Sequence, residues 1–230
     1  MHRPKRFRAL CAALACACSA AVSWAADTFD TSAGNLIAVL RQTPGANQQE
    51  DALQPFGKVR ASLPDGREVE IEASWFQYLG DIHVRLVFDS EREVMTASPD
   101  DLQRLQLDPQ QAMAKAVENL RRRYGTPVAK PWSGGLMQVE GSSYDLNSSY
   151  FLDRDFWVGQ AREHPDGLVV SVPARGGLVF APAGDQAAVT SLRFSTVALY
   201  TGNRRSRISS ALYLFKDGHW SVYEAPQQLP

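Results

Sequence analysis

Alternating apolar and polar residues predict antiparallel strands in the first half of the chain. Residues 67–75 alternate small or branched apolar residues with three glutamates, and residues 58–63 form a second short run of this kind. The sequence Pro64-Asp65-Gly66 between them is a turn signal, so the two runs predict a β-hairpin. In residues 81–88 every second side chain is again apolar, which predicts a third strand with its apolar residues on one side.

Two helix starts are marked by capping sequences. Ser98 and Asp108 each precede a proline, and an acid or amide that can reach back to the cap stands at the third helical position. From Asp108 onward apolar residues recur at helical spacing until Tyr124, and Gly125 is a typical terminator. These patterns predict two consecutive helices, the second ending at Gly125.

The remaining pattern predicts a mixed order of helices and strands. A short apolar run at residues 36–40 is interpreted as a first helix, and residues 153–163 and 185–200 as two later helices. Loops are expected at 130–135 and 141–148. Strands are predicted at residues 136–140, 167–173, 178–181, 208–215 and 219–223. The sequence thus predicts one α+β domain with antiparallel hairpins and about five helices, because helices and strands do not alternate strictly.

The first 25 residues have the pattern of a signal peptide. Four basic residues precede the uncharged segment 9–22, which is too short to span a bilayer as a helix. Small residues at Ser23 and Ala25 predict cleavage between Ala25 and Ala26, so residues 26–230 would form the mature, periplasmic or secreted domain. A lipoprotein attached through Cys16 or Cys18 is the alternative.

Signal removal changes the composition of the chain. All three cysteines lie in residues 1–25, so the mature chain would contain no thiol for disulfides, thiolate metal sites or redox chemistry. The four basic residues are also lost, which leaves 20 basic and 25 acidic residues. Nucleic acid is therefore not an expected partner, and the cluster Arg121-Arg122-Arg123 is interpreted as complementing a helix C-terminus. No later segment is apolar enough to predict a membrane span.

Sequence motifs for catalysis or cofactor binding are absent. The chain has no glycine-rich phosphate loop, no nucleophile elbow and no H-E-x-x-H zinc motif. His83, His164 and His219 are scattered, and we interpret each as structural or solvated. We therefore expect no cofactor and no bound metal.

Three other groups of residues have both a functional and a structural interpretation. Glu68, Glu70 and Glu72 share one strand face and could supply an acid/base pair, but a solvated face is the simpler explanation. Asp153 and Asp155 suit a helix N-terminus. Aromatic residues crowd the middle of the chain and favour a core over a binding platform; they are Tyr144, Tyr150, Phe151, Phe156 and Trp157.

A family resemblance covers residues 112–200. An acidic helix start with a bulky aromatic, at 153–157, precedes a strand that reads Val170-Ser171-Val172-Pro173-Ala174-Arg175 and then a second apolar strand. This order, with the helical segment 116–121, resembles the YtpQ-type family of uncharacterised bacterial proteins. The resemblance implies a similar fold but no reaction. The chain differs from the family in being exported and in having Gly176 where an acidic residue is frequent.

The turn Arg175-Gly176-Gly177 is the sequence's candidate binding loop. A guanidinium beside two glycines could grip a carboxylate with two parallel hydrogen bonds, or it could tie down a neighbouring loop. Together with the missing catalytic motifs, this loop favours a non-enzymatic accessory domain of the cell envelope that binds a protein or a small ligand. The alternative is a carboxylate-based envelope hydrolase.

Overall fold

The computed structural model describes residues 29–63, 65–90 and 93–227. The strands of this part are β1 (Leu36–Gln42), β2 (Gln54–Pro55), β3 (Lys58–Ser62), β4 (Glu68–Glu72), β5 (Trp75–Leu79), β6 (Ile82–Asp89), β7 (Val94–Thr96), β8 (Val128–Pro131), β9 (Met137–Glu140), β10 (Leu168–Ala174), β11 (Gly177–Pro182), β12 (Leu212–Lys216) and β13 (His219–Glu224). The α-helices are α1 (Pro99–Arg104), α2 (Pro109–Tyr124), α3 (Arg154–Ala161) and α4 (Gln186–Gly202). The predicted α+β class is confirmed.

The strands form two larger antiparallel sheets and one separate hairpin. The first sheet has the order β1-β6-β5-β2, with β7 paired to β6, and the second has the order β13-β12-β10-β11-β9-β8. The hairpin β3-β4 is the one predicted around Asp65 and Gly66. The strand pairs β10-β11 and β12-β13 also match the predicted hairpins.

The main hydrophobic core combines one face of each large sheet with the helices α1, α2 and α3. The inner positions of β6 alternate as the sequence predicts, since Ile82, Val84, Leu86 and Phe88 are fully buried. The second sheet contributes Leu168, Val170 and Phe180, and the aromatic residues Phe151, Trp157, Tyr213, Phe215 and Trp220 pack among them. Burial of this apolar surface is the main stabilising contribution to the fold.

Two smaller clusters cover the other faces of the sheets. Helix α4 packs its residues Ala188, Val189 and Leu192 against the second sheet. On the first sheet, Ile37, Val39 and Val87 pack together with Leu146, which lies in the 3-10 helix Tyr144–Leu152. This cluster covers one end of the outer face of the first sheet, which is the face turned away from the main core.

The two predicted capping boxes are present. The Ser98 side chain accepts from the backbone N–H of Asp101, and the Asp108 side chain accepts from that of Gln111 at 2.8 Å. In each box the side chain of the third helical residue also accepts a hydrogen bond from the backbone N–H of the capping residue. The boxes satisfy N–H groups that the first turn of a helix otherwise leaves without partners.

The helix predicted at residues 36–40 is wrong, because this segment is part of β1. An unbroken apolar run of five residues is compatible with a buried helix or with a strand buried on both faces, and its length does not distinguish them. Here Leu36 and Leu40 face the main core, whereas Ile37 and Val39 face the small cluster with Leu146. Pairing with β6 on one edge decides for the strand.

Two segments predicted as loops contain regular structure. Residues 130–135 include the end of β8 and a 3-10 turn at Ser133–Gly135, and residues 141–148 include the start of the 3-10 helix Tyr144–Leu152. Neither segment has a clear period of two or of 3.6 residues. Their structure therefore depends on pairing with β9 and on packing against the core rather than on a local signal.

Candidate functional site

The predicted loop at Arg175 is the turn between β10 and β11. Its backbone fastens two other segments, since the N–H of Arg175 donates to the Ser206 carbonyl at 3.0 Å and its carbonyl accepts from the N–H of Ser148 at 2.9 Å. The guanidinium group of Arg175 forms no hydrogen bond or ion pair with any described residue. The loop is thus tied down by the main chain, while the charged side chain is left without a partner in the part of the chain that the structure describes.

Gly176 has a steric role in this turn. Its φ angle lies outside the left-handed region, as does that of Gly177. A Cβ atom on Gly176 would overlap the ring of Tyr144, which lies directly beside the turn and is 66% exposed. The space beside Gly176 is therefore filled by the Tyr144 ring of the same chain. This ring forms one exposed side of the loop.

Two further arginines, Arg41 and Arg85, lie on the outer face of the first sheet. In the register of β1 and β6, Arg41 is opposite His83 and Arg85 is opposite Val39, so Arg41 and Arg85 are diagonal neighbours. Arg41 is in the strand at the end of this sheet. The Arg175 carbonyl accepts from Ser148 in the 3-10 helix whose Leu146 packs on β1, and the charge of Arg175 lowers the pKa of Arg41. We call Arg41, Arg85 and Arg175 the arginine stripe.

Arg85 is held in place by two rings. Its guanidinium carbon lies 3.7 Å from the centre of the Trp75 ring, and its Nε–H donates to His83 Nε2 at 2.8 Å. Because Nε2 accepts, neutral His83 carries its proton on Nδ1 and donates it to Thr43 Oγ1, 2.8 Å away. This series of contacts fixes both the tautomer of His83 and the direction of the Arg85 guanidinium. It runs from Thr43 through His83 and Arg85 to Trp75.

The charges of the stripe act on one another. Burial and then the charge of Arg175 lower the pKa of Arg41, and burial and then the charge of Arg41 lower the pKa of Arg85 to about 10. Both groups remain cationic at neutral pH. Burial and these two arginines also lower the pKa of His83 to about 4, so the histidine adds no positive charge.

None of the described carboxylates forms an ion pair with the stripe. Arg41 donates to the Leu40 carbonyl at 2.7 Å, and Arg85 donates to His83, but both of these acceptors are uncharged. Asp89 lies on the same face of β6 as Arg85, and it is bound by Arg123 and by the Tyr124 hydroxyl. The arrangement offers guanidinium groups in neighbouring positions to an anion from outside the described chain.

Sequence reasoning singled out Arg175 and missed Arg41 and Arg85. Arg41 follows the apolar run of β1, and Arg85 stands at a polar position in an alternating strand, where an isolated arginine is ordinary. The three arginines are related by the register of β1 with β6 and by the position of the β10-β11 turn. Spacing along the sequence predicts neither of these.

A large groove lies elsewhere, between α2 and the start of α3. It has a volume of about 1020 Å³, and its apolar lining includes Leu53, Met113 and Val117. Its basic residues are engaged within the chain. Arg121 binds Asp153, and Arg154 binds Asp51 and the Gly218 carbonyl.

The basic cluster at the end of α2 also binds the chain itself. Besides the Arg121 pair, Arg122 donates to the Gly34 carbonyl and Arg123 to the Asp89 carbonyl, each at 2.5 Å. These contacts fasten α2 to the segment before β1 and to the end of β6. The structural interpretation of this cluster therefore agrees with the contacts of all three arginines.

The carboxylates considered for catalysis are not arranged as an acid/base pair. Glu68, Glu70 and Glu72 are exposed on β4, where the last two lie opposite Arg60 and Lys58. Asp153 caps α3 by accepting from the Phe156 N–H at 3.1 Å, and Asp155 is 89% exposed.

Asp81 is a buried carboxyl group that the sequence did not single out. It accepts from Ser209 at 2.5 Å, from Gln42 at 2.8 Å and from Tyr213 at 3.3 Å. Burial raises its pKa, and these three donors oppose the rise. It joins the two sheets by linking the β5-β6 turn to the segment before β12.

The aromatic residues in the middle of the chain are mostly core. Tyr150, Phe151, Phe156 and Trp157 are buried, and Tyr144 alone of the five predicted residues is exposed.

Within the described residues, no group of three or more His, Asp or Glu side chains is placed to hold a metal ion. None of the helices in this part of the chain combines the length and the hydropathy needed to cross a bilayer.

Comparison with protein-family models, with curated proteins and with solved structures finds no significant match to this chain. The resemblance to the YtpQ-type family therefore stays a prediction. The predicted signal peptide, its cleavage between Ala25 and Ala26, and the alternative anchors Cys16 and Cys18 lie outside the described residues.

Proposed function

We propose that this chain is a non-enzymatic, exported accessory domain of the cell envelope, periplasmic or secreted, that binds an acidic group on a protein or a small ligand. The observation that carries the proposal is the arginine stripe. Arg41 lies diagonal to Arg85 and interacts electrostatically with Arg175, and none of the three has an acidic partner among the described residues.

Electrostatics favours an anion at this place. Partly buried like charges oppose one another, and burial weakens their hydration, as the lowered pKa values of Arg41 and Arg85 reflect. A bound carboxylate or phosphate would offset both effects and accept charge-assisted hydrogen bonds. Arg85 is already oriented by Trp75 and His83, so less side-chain freedom is lost when a ligand binds.

The hydrolase alternative has less support. A carboxylate hydrolase of the glycosidase type needs two carboxyl groups about 5–10 Å apart on either side of the scissile bond. The glutamates of β4 face solvent opposite basic residues, and Asp153 is occupied by Arg121 and by the cap of α3. Asp81 is surrounded by donors of its own chain.

The substitution Arg175→Lys tests the proposal. Lysine keeps the charge and loses the planar fork, so partner capture from envelope extract should fall while the melting temperature stays the same. The matched control is Arg162→Lys, because Arg162 is exposed at the end of α3. Equal capture by wild type and Arg175→Lys would remove the loop from the binding model. Capture lost together with several degrees of melting temperature would assign Arg175 a structural role.

A further inference from the structure

The arginine stripe runs across elements that belong to different sheets. Arg85 is in the second strand of the first sheet, Arg41 is in the end strand, and Arg175 is in a turn of the second sheet. Diagonal neighbours in an antiparallel pair have Cα atoms about 7–8 Å apart, and neighbouring strands are about 4.8 Å apart. The three side chains therefore start from separate points of the backbone, and they can serve separate anionic groups.

The free donors of the three arginines are also separate. Arg85 uses its Nε–H for His83, which leaves the N–H groups at the terminal nitrogens without a described acceptor. Arg41 uses one terminal nitrogen for the Leu40 carbonyl. Arg175 uses none of its guanidinium donors on a described residue. Since a guanidinium pairs two N–H groups with one carboxylate or phosphate, the stripe has donors for more than one such group.

A ligand with a single negative charge leaves most of this arrangement unmatched. One carboxylate can face one fork in the bidentate geometry, and the other guanidinium charges then remain close together without a counter-charge. A ligand with two or more anionic groups can place one group against each of several forks. The second contact then forms within the same complex, which strengthens binding without a new association step.

We infer that the ligand of the arginine stripe is a polyvalent oxyanion, a molecule with two or more carboxylate or phosphate groups spaced to reach Arg85, Arg41 and Arg175. The inference rests on the proposed function and adds the chemical class of its ligand. Arg85, Arg41 and Arg175 contact the anion, and His83 is a positioning residue that acts through Arg85. Trp75 supports the same guanidinium from its face.

A series of anions of increasing charge tests this inference. The mature chain is titrated by calorimetry, at matched ionic strength and pH 7, with acetate, succinate, citrate, inorganic phosphate, pyrophosphate and tripolyphosphate. We expect acetate to bind weakest, and affinity to rise with the number of charged groups within the carboxylate arm and within the phosphate arm. The series with the higher affinities shows whether the ligand carries carboxylate or phosphate groups. The melting temperature should rise in the same order, because a ligand that binds the native state stabilises it.

Variants connect this binding to the stripe. Arg41→Gln, Arg85→Gln and Arg175→Gln should each weaken binding of the best anion about tenfold or more, whereas the control Arg162→Gln should leave it unchanged. Arg85→Lys covers the case that a glutamine variant does not fold, since it keeps the charge but loses the stacked fork. It should also weaken binding, and Trp75→Leu should weaken it without removing any charge.

The contrary outcomes separate the two proposals. If acetate binds as tightly as the polyvalent anions, or if no anion of the series binds, the inference of a polyvalent ligand is wrong. Affinity that is unchanged in all three glutamine variants would also overturn it. The proposed function is judged separately by Arg175→Lys in the capture experiment, which can succeed or fail whatever the result with small anions.

Discussion

At the scale of single residues, His83 illustrates how a polar strand position becomes structural. Its place in an alternating strand favoured a structural or solvated histidine over a metal ligand. In the fold it is buried, with 4% of its surface exposed, and both ring nitrogens are hydrogen-bonded. The sequence indicated its strand, but not the burial and the neighbouring charges of Arg85 and Arg41 that make protonation unfavourable.

The lowered pKa of His83 predicts a pH dependence of stability. An unfolded histidine has a pKa of 6.5 and the folded one of about 4, so between these values the unfolded chain binds more protons. The unfolding free energy should therefore fall as the pH decreases from about 6.5 to 4, with roughly 3 kcal/mol from this group.

The measurement is urea unfolding between pH 4 and pH 8. His83→Gln keeps an acceptor for Arg85 and should flatten the curve relative to wild type, whereas the control His164→Gln should not. Curves for wild type and His83→Gln that run parallel through this range would show that His83 does not titrate as inferred.

At the scale of elements, local signals were most reliable where the backbone itself requires a particular side chain. The start of α2 followed from Asp108 and Gln111, because a helix N-terminus needs acceptors for its free N–H groups. β1 has no such signal, and its apolar run predicts a helix instead of the observed strand. An apolar run has to be buried, but either a helix or a strand can bury it.

The capping box of α2 gives a prediction at this scale. Asp108→Ala removes the acceptor for the Gln111 N–H and should lower the unfolding free energy by about 1 kcal/mol. Asp108→Asn keeps an acceptor and should recover most of the loss. Gln110→Ala, at an exposed position in the same turn, is the control. Urea unfolding measures all three variants, and equal losses for Asp108→Ala and Gln110→Ala would contradict the capping role.

At the scale of the whole molecule, the predicted export determines which chain acts. Expression with residues 1–25 in a bacterial host should yield an exported form that begins at Ala26. Small residues at Ser23 and Ala25 are the reason for this expectation. Intact-mass analysis of the periplasmic fraction measures it. A lipid-modified N-terminus at Cys16 or Cys18, or a mass that retains residues 1–25, would contradict cleavage at this position.

From the sequence alone follow the α+β class, the hairpins β3-β4, β10-β11 and β12-β13, and the capped helices α1 and α2. These features depend on neighbouring residues, namely turn sequences, caps and a period of two or 3.6. The tertiary structure decided that the run at 36–40 is a strand, that Asp81 is buried between the sheets, and that Arg41 and Arg85 join Arg175. Each of these depends on the register between strands distant in sequence and on which turn approaches the edge of β1, and no local pattern specifies either.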